Sequence, residues 1–173
     1  MTAYRKFQNL KIDHSAIGMD QNVSDITYFC TPVGAEVIGR AGVDGIHYCL
    51  NEGFGELVFA VSPAALPGEY VHPIARSFED LLKLLLACGS MDAIEQAYMW
   101  KEELFNQYIM DNQPNENQKS AMHVIADAFH IAPIENPYDY IKELQAGFDY
   151  NGMAYELCHY DLYNLSRAGG LYF

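Results

Sequence analysis

The sequence predicts an α+β fold in which a twisted antiparallel sheet is covered by a core helix, with additional C-terminal helices. Three observations predict it. Residues 45–50 (GIHYCL) and 56–61 (ELVFAV) alternate at period two, residues 77–89 (SFEDLLKLLLACG) hold an apolar helix between a serine and a glycine, and helical spacing recurs beyond residue 90.

In the first strand Ile46, Tyr48 and Leu50 share one face, and His47 and Cys49 the other. In the second, Leu57, Phe59 and Val61 oppose Glu56, Val58 and Ala60. Asn51, Glu52, Gly53, Phe54 and Gly55 between them are turn residues, so the two strands pair as an antiparallel hairpin. Residues 26–30 (ITYFC) and 36–40 (EVIGR), separated by Thr31, Pro32, Val33 and Gly34, are expected to add two more strands. A proline-punctuated loop follows the hairpin.

Ser77 is the expected N-cap of the core helix, Asp80 the acidic partner in its first turn, and Gly89 its left-handed stop. Phe78, Leu81, Leu82, Leu84, Leu85 and Leu86 cover more than half of its circumference, leaving Glu79, Asp80 and Lys83 for water. Six such side chains contribute on the order of 10 kcal/mol when buried, before entropy is subtracted. Beyond it, Ser90 caps a helix carrying Met91, Ile94, Ala97 and Tyr98, and the apolar stripe continues through Trp100, Leu104, Phe105, Tyr108 and Ile109 after a kink. Residues 111–118 (DNQPNENQ) read as a linker between a core of about residues 26–110 and a helical appendage of about residues 119–173, within a single domain over 1–173. In that appendage Met122, Val124, Ile125, Ala128 and Phe129 suggest one helix, and Asn136–Pro137 opens another with Tyr140, Ile141, Leu144 and Phe148 on one side. Residues 1–25 show only weak helical spacing, and no element is assigned to them.

Lys and Arg number 10 against 23 Asp and Glu, a net charge of -13. The excess lies late in the chain: 4 basic and 5 acidic residues occur up to residue 50, 3 and 9 from 51 to 110, and 3 and 9 beyond. Such a field repels nucleic acid and anionic membranes and favours a basic protein partner. The longest apolar run, residues 81–88, is too short to span a bilayer, and residues 1–18 have no apolar signal-like core, so a cytoplasmic location is expected. Cys30, Cys49, Cys88 and Cys158 are scattered without a CxxC spacing, which fits reduced thiols.

No catalytic, metal or cofactor site is predicted. His47 with Cys49 and Cys158 with His159 lack paired-ligand spacing for zinc; GxSxG and GxxxxGK[ST] are absent, and Gly53–Gly55 is only GFG. A small hydrolase using Cys30 or Cys49 with a histidine, or a pair among the carboxylates, is the alternative from another class. Glu52, Glu56 and Glu69 instead suggest a surface facing a basic partner, with Tyr48, Phe54 and Tyr70 as aromatic anchors on the exposed end or open face of the sheet.

Residues 55–63 (GELVFAVSP) followed by 71–82 (VHPIARSFEDLL) resemble the SMI1/KNR4, or SUKH, superfamily pattern of a glycine-containing hairpin, a short strand, then Ala-x-Ser-Phe-Glu-x-Leu-Leu into a helix. The likeness covers residues 26–89. It implies a non-enzymatic protein-binding module. Bacterial members are mostly thought to be immunity proteins that neutralise secreted toxins, often nucleases, so the implied partner is a basic toxin domain. Fungal members regulate cell-wall glucan synthesis, which makes a regulator or adaptor the nearest variant.

Overall fold

The computed structural model describes residues 2–22, 27–160, 162, 163 and 165. Its centre is a four-stranded antiparallel sheet in the order β1 (Ala35–Arg40), β2 (His47–Asn51), β3 (Val58–Val61) and β4 (Val71–Ala75). The expected alternation holds through the middle of it. Ile46, Tyr48, Leu50, Val58 and Ala60 face the helices, whereas Cys49, Leu57, Phe59 and Val61 face the other way.

β1 and β2 are joined by a tight turn in which Gly45 has φ 72° and sits under the Tyr28 ring. A Cβ added to Gly45 would lie 2.6 Å from Tyr28 Cζ, so any other residue would have to push that ring aside and hold a left-handed backbone. After β2 the Asn51 side chain accepts from the Gly53 amide at 3.0 Å and shapes the short 3-10 turn Glu52–Phe54. β4 falls within the proline-punctuated stretch, where the family likeness places a short strand. Proline is tolerated there because β4 is an edge strand, and the Pro73 carbonyl still accepts from Gln145 Nε2 at 3.3 Å.

The strand expected over residues 26–30 does not form where the chain is described; Ile26 lies outside the described residues. Residues 27–30 instead make a turn closed by the Thr31 amide on the Tyr28 carbonyl at 2.9 Å. The apolar, β-branched composition reflects burial here and not pairing: Cys30 and Phe29 drop onto the face of the sheet opposite the helices.

Helix α2 runs over Phe78–Cys88 as the sequence predicts. Ser77 Oγ accepts from the Asp80 amide at 3.1 Å, and Gly89 closes the helix at φ 83° with its amide on the Leu85 carbonyl at 2.9 Å. Phe78, Leu81, Leu82, Leu84 and Leu85 are buried, with Cys88, against β4, α3 (Met91–Gln96) and α5 (Glu116–Phe129). Leu86, expected in the core, is only half-buried. The kink foreseen after α3 is a break, residues 97–101, before α4 (Glu102–Asp111).

The stretch read as a linker is mostly structured. α4 reaches Asp111, and Asn115 and Gln118 form a reciprocal capping box that starts α5 at Glu116. Beyond it, Ala121 and Ile125 of α5 and Ile141 of α6 (Pro137–Ala146) belong to the same buried cluster as α2. The N-terminal segment, unassigned from sequence, contributes α1 (Ala3–Gln8): Tyr4 and Phe7 are buried and meet Phe78 edge-on at 5.4 and 5.3 Å.

The second face of the sheet is closed as well. Cys30, Cys49, Phe59, Val61, Tyr70, Val71, Met153 and Leu165 form a second buried cluster, with Phe148, Tyr150 and Tyr155 packed on it. An open sheet face, expected from the sequence, is therefore not present on this side. No helix among the described residues is long and apolar enough to cross a membrane.

Candidate functional site

α2 covers the helix-side face of the sheet only from Phe78 onward, and α1 leans in from the other side. Between them one corner of the sheet stays uncovered as a cleft of about 910 Å³. Its floor is Glu36 and Val37 of β1, Leu50 of β2 and, past the turn, Gly55 and Glu56; its walls are Tyr4, Arg5 and Gln8 of α1 and Ser77, Glu79, Asp80 and Lys83 at the start of α2. Glu36 reaches this face because it pairs with Leu50, ahead of the β1 bulge between Val37 and Gly39.

The electrostatics of the cleft are asymmetric. Lys83 is taken by Asp80 at 3.1 Å and Glu79 at 3.2 Å, which hold its ammonium above the usual lysine range, chiefly through the hydrogen bond to Asp80. Asp80 also accepts from the Tyr140 hydroxyl at 2.9 Å. By contrast, Glu36 and Glu56, both exposed, form no ion pair among the described residues. At the rim Tyr4 is fixed by two glutamines, its hydroxyl donating to Gln21 Oε1 at 3.2 Å and accepting from Gln8 Nε2 at 2.9 Å. Burial and then the Glu36 charge push that phenol above its usual range.

The structure separates the six residues predicted for partner binding. Glu56 lines the cleft, and Glu52 is exposed on the adjoining 3-10 turn. Phe54, on the same turn, points to the second core instead, against Phe59 at 5.5 Å and Phe148 at 5.4 Å, and borders a smaller groove of about 510 Å³ with Val33, Tyr155 and Leu157. Glu69 is exposed at the opposite end of the sheet: it precedes β4, whose Val71 pairs with Val61, whereas Glu56 precedes Val58. The three glutamates are close in sequence but do not form one cluster. Tyr48 and Tyr70, at 0% and 7% exposure, cannot serve as surface anchors. Tyr48 belongs to the helix-side core because it alternates with His47, and Tyr70 is drawn into the second core by Phe29 at 5.1 Å.

Glu36, Glu79 and Tyr4 were missed as site residues. Glu36 lies in a strand that the sequence predicts, but the register that sets it opposite Leu50, and so on the helix-side face, is given by the fold. Nothing in the sequence placed Tyr4, since residues 1–25 were unassigned.

The cysteine and histidine pairs considered for chemistry are dispersed. Burial pushes the Cys30 and Cys49 thiols up to about 12, so neither is a thiolate near neutrality. Although His47 and Cys49 do share a face, His47 Nε2 is bonded to Thr31 Oγ1 at 3.0 Å. Cys158 is exposed, while His159 packs toward Phe29 and Tyr163. Among the described residues no group of three or more His, Cys, Asp and Glu is placed to hold a metal ion.

A second polar cluster lies at the far end of the sheet. Ser62 Oγ and Gln96 Nε2 both donate to the Glu95 carboxylate, which is 4% exposed. His72 donates from Nε2 to the Glu69 carbonyl at 3.0 Å and stacks on Tyr98 at 4.0 Å, and Lys142 Nζ donates to the Ala97 and Tyr98 carbonyls at 3.1 Å.

Comparison of the chain with protein-family models, curated proteins and solved structures returns no match.

Proposed function

We propose that this chain is a non-enzymatic binding protein of the immunity type, which caps a basic toxin domain through the cleft between α1, the sheet corner and the start of α2. The observation that carries the reading is the pair Glu36 and Glu56: two exposed carboxylates on the floor of a concave surface, neither in an ion pair among the described residues although Arg5 and Lys83 stand in its walls, in a protein of net charge -13. Opposite charge on a partner speeds encounter, and desolvation inside a cleft strengthens each pair once it forms. The order β3, β4, Ser77-capped α2 follows the element order of the SUKH likeness, which supports the same reading. Four cysteines without a disulfide, three of them buried, accord with a reducing compartment such as the cytoplasm, where an immunity protein meets its toxin.

The test is association kinetics with a basic toxin domain, sought first among the reading frames adjacent to this chain's own. Glu36→Lys combined with Glu56→Lys is expected to lower the on-rate by at least about tenfold at low salt while leaving the melting temperature near the parent value. Glu52→Lys, on the rim, should have a smaller effect in the same direction. Raising the salt should slow the parent and narrow the difference. An on-rate unchanged by both the double substitution and salt would remove the cleft as the binding surface.

A further inference from the structure

Residues 27–33 lie across the second face of the sheet and are pinned by His47. His47 is fully buried, at the start of β2. Its Nδ1 is 2.8 Å from the Gly45 carbonyl oxygen, which can only accept, so Nδ1 carries the proton. The Nε2 lone pair then accepts from the Thr31 hydroxyl at 3.0 Å, while Thr31 Oγ1 itself accepts the Tyr28 amide at 2.8 Å. The Tyr28 ring stacks on the imidazole at 5.6 Å. Asn51 Nδ2 holds the far end by donating to the Val33 carbonyl at 2.9 Å, and the Val33 amide donates to the Ala154 carbonyl at 2.8 Å.

This arrangement has room for only one protonation state. A second proton on imidazole Nε2 would meet the Thr31 hydroxyl hydrogen, and Thr31 is 5% exposed, so the turned-away hydroxyl finds no water. The charged and titratable groups around His47 are Arg40, its register partner on β1, the Tyr28 phenol on the overlying segment, and the thiols of Cys30 and Cys49. Arg40 opposes a second positive charge, and both thiols are neutral. Burial, foremost, and Arg40 after the favourable Gly45 bond hold the imidazole below the usual histidine range.

We propose that residues 27–33 form a proton-released strap: neutral His47 locks it over the second core through Thr31, and protonated His47 lets it go. Release uncovers Cys30 and Cys49 and opens the wall that Val33 gives the smaller groove, while the helix-side core around α2 stays closed.

The four thiols provide the readout. Cys158 is exposed and serves as the internal reference, Cys30 is the strap's own thiol and faces the second core, Cys49 lies beneath the strap, and Cys88 is buried in the other core. Labelling with 4,4′-dithiodipyridine, followed by peptide mapping, should show the Cys30-to-Cys158 rate ratio rising at least about tenfold between about pH 7.5 and about pH 5, with Cys88 still protected. His47→Gln should make the ratio independent of pH. Thr31→Val should raise it already at neutral pH, and Thr31→Ser should restore the parent profile. Cys30 and Cys88 becoming reactive together would mean global unfolding and would overturn the strap. So would a Cys30 ratio that stays constant in the folded parent, or a Thr31→Val protein with Cys30 still protected at neutral pH. Independently of any variant, imidazole nitrogen chemical shifts at neutral pH should report the Nδ1–H tautomer of His47; the Nε2–H tautomer would overturn the lock.

Discussion

Glu95 and His72, near the same end of the sheet, respond to acid with opposite signs. Burial is the main cause in both. It holds the Glu95 carboxyl above its usual range against the bonds from Ser62 and Gln96, and lowers His72 to about 4, with Lys142 adding to the effect. For His72 the unfolded chain takes its proton from about pH 6.5 and the folded one only near 4, so stability is lost as pH falls through that window. For Glu95 the folded pKa lies above the unfolded one, so its contribution is complete below the unfolded value and is lost as pH rises through the folded one. Urea unfolding should therefore show lower stability at about pH 5 than at about pH 7, by about 1 to 2 kcal/mol for the His72 contribution. His72→Gln should flatten that decline. Glu95→Gln, which cannot titrate, should make the decline steeper, because the acid-strengthened contribution of the carboxyl is gone. A parent protein equally stable at both pH values, with both variants parallel to it, would contradict these assignments. None of this was visible in the sequence: alternation assigns His72 to a face, but the burial that shifts its titration comes from Tyr98 and α6, and Glu95 on α3 is buried against the end of the sheet at Ser62, all from elsewhere in the chain.

At the scale of elements, the stretches whose local signals agree with their packing were legible, and those whose signals conflict were not. α2 has a cap, a stop and an apolar face that all specify one helix, and it forms over Phe78–Cys88. β2 and β3 alternate as predicted, and the turn between them is set by Asn51. Residues 27–30 have strand composition yet fold as a turn, since Phe29 and Cys30 gain more by filling the second core than by extending an edge. In the cleft, Glu56 was found from its place beside the hairpin, whereas Tyr48 was lost because a tyrosine on an alternating strand looks the same whether a helix covers it or water does. α2 itself supports a direct test. Leu82 and Leu85 are fully buried, and an unpaired carboxylate there costs several kcal/mol against a total stability of about 5 to 15 kcal/mol. Leu82→Asp and Leu85→Asp should each leave the chain unfolded or nearly so by circular dichroism at room temperature. If both melted with the parent, α2 would not be the centre of the core.

At the scale of the whole molecule, the sheet is a middle layer with a core on either side. The signal for this was present in β3: Val58, Phe59, Ala60 and Val61 are all apolar and all buried, the pattern of a strand covered on both faces. What the sequence did not show was the cover, because the described residues between 148 and 165 form no long periodic element, only short 3-10 turns at Tyr150–Gly152 and Leu157–His159. Aromatic packing takes the place of regular structure there. Phe148 meets Phe54 and Phe59 at 5.4 Å each and Tyr150 at 4.6 Å, while Met153 is buried beside them. The segment should therefore contribute to the fold as an integral layer. Phe148→Ala should cost about 1 to 2 kcal/mol in urea unfolding, less than emptying a fully buried aromatic site because Phe148 is half-buried. Ending the chain after residue 147 should do more: it uncovers Phe59, Val61 and Val71, so the shortened protein should bind a hydrophobic dye at neutral pH and melt well below the parent. A shortened chain that melts with the parent and ignores the dye would show that the second face needs no such cover, and that Phe148 reports only a local contact.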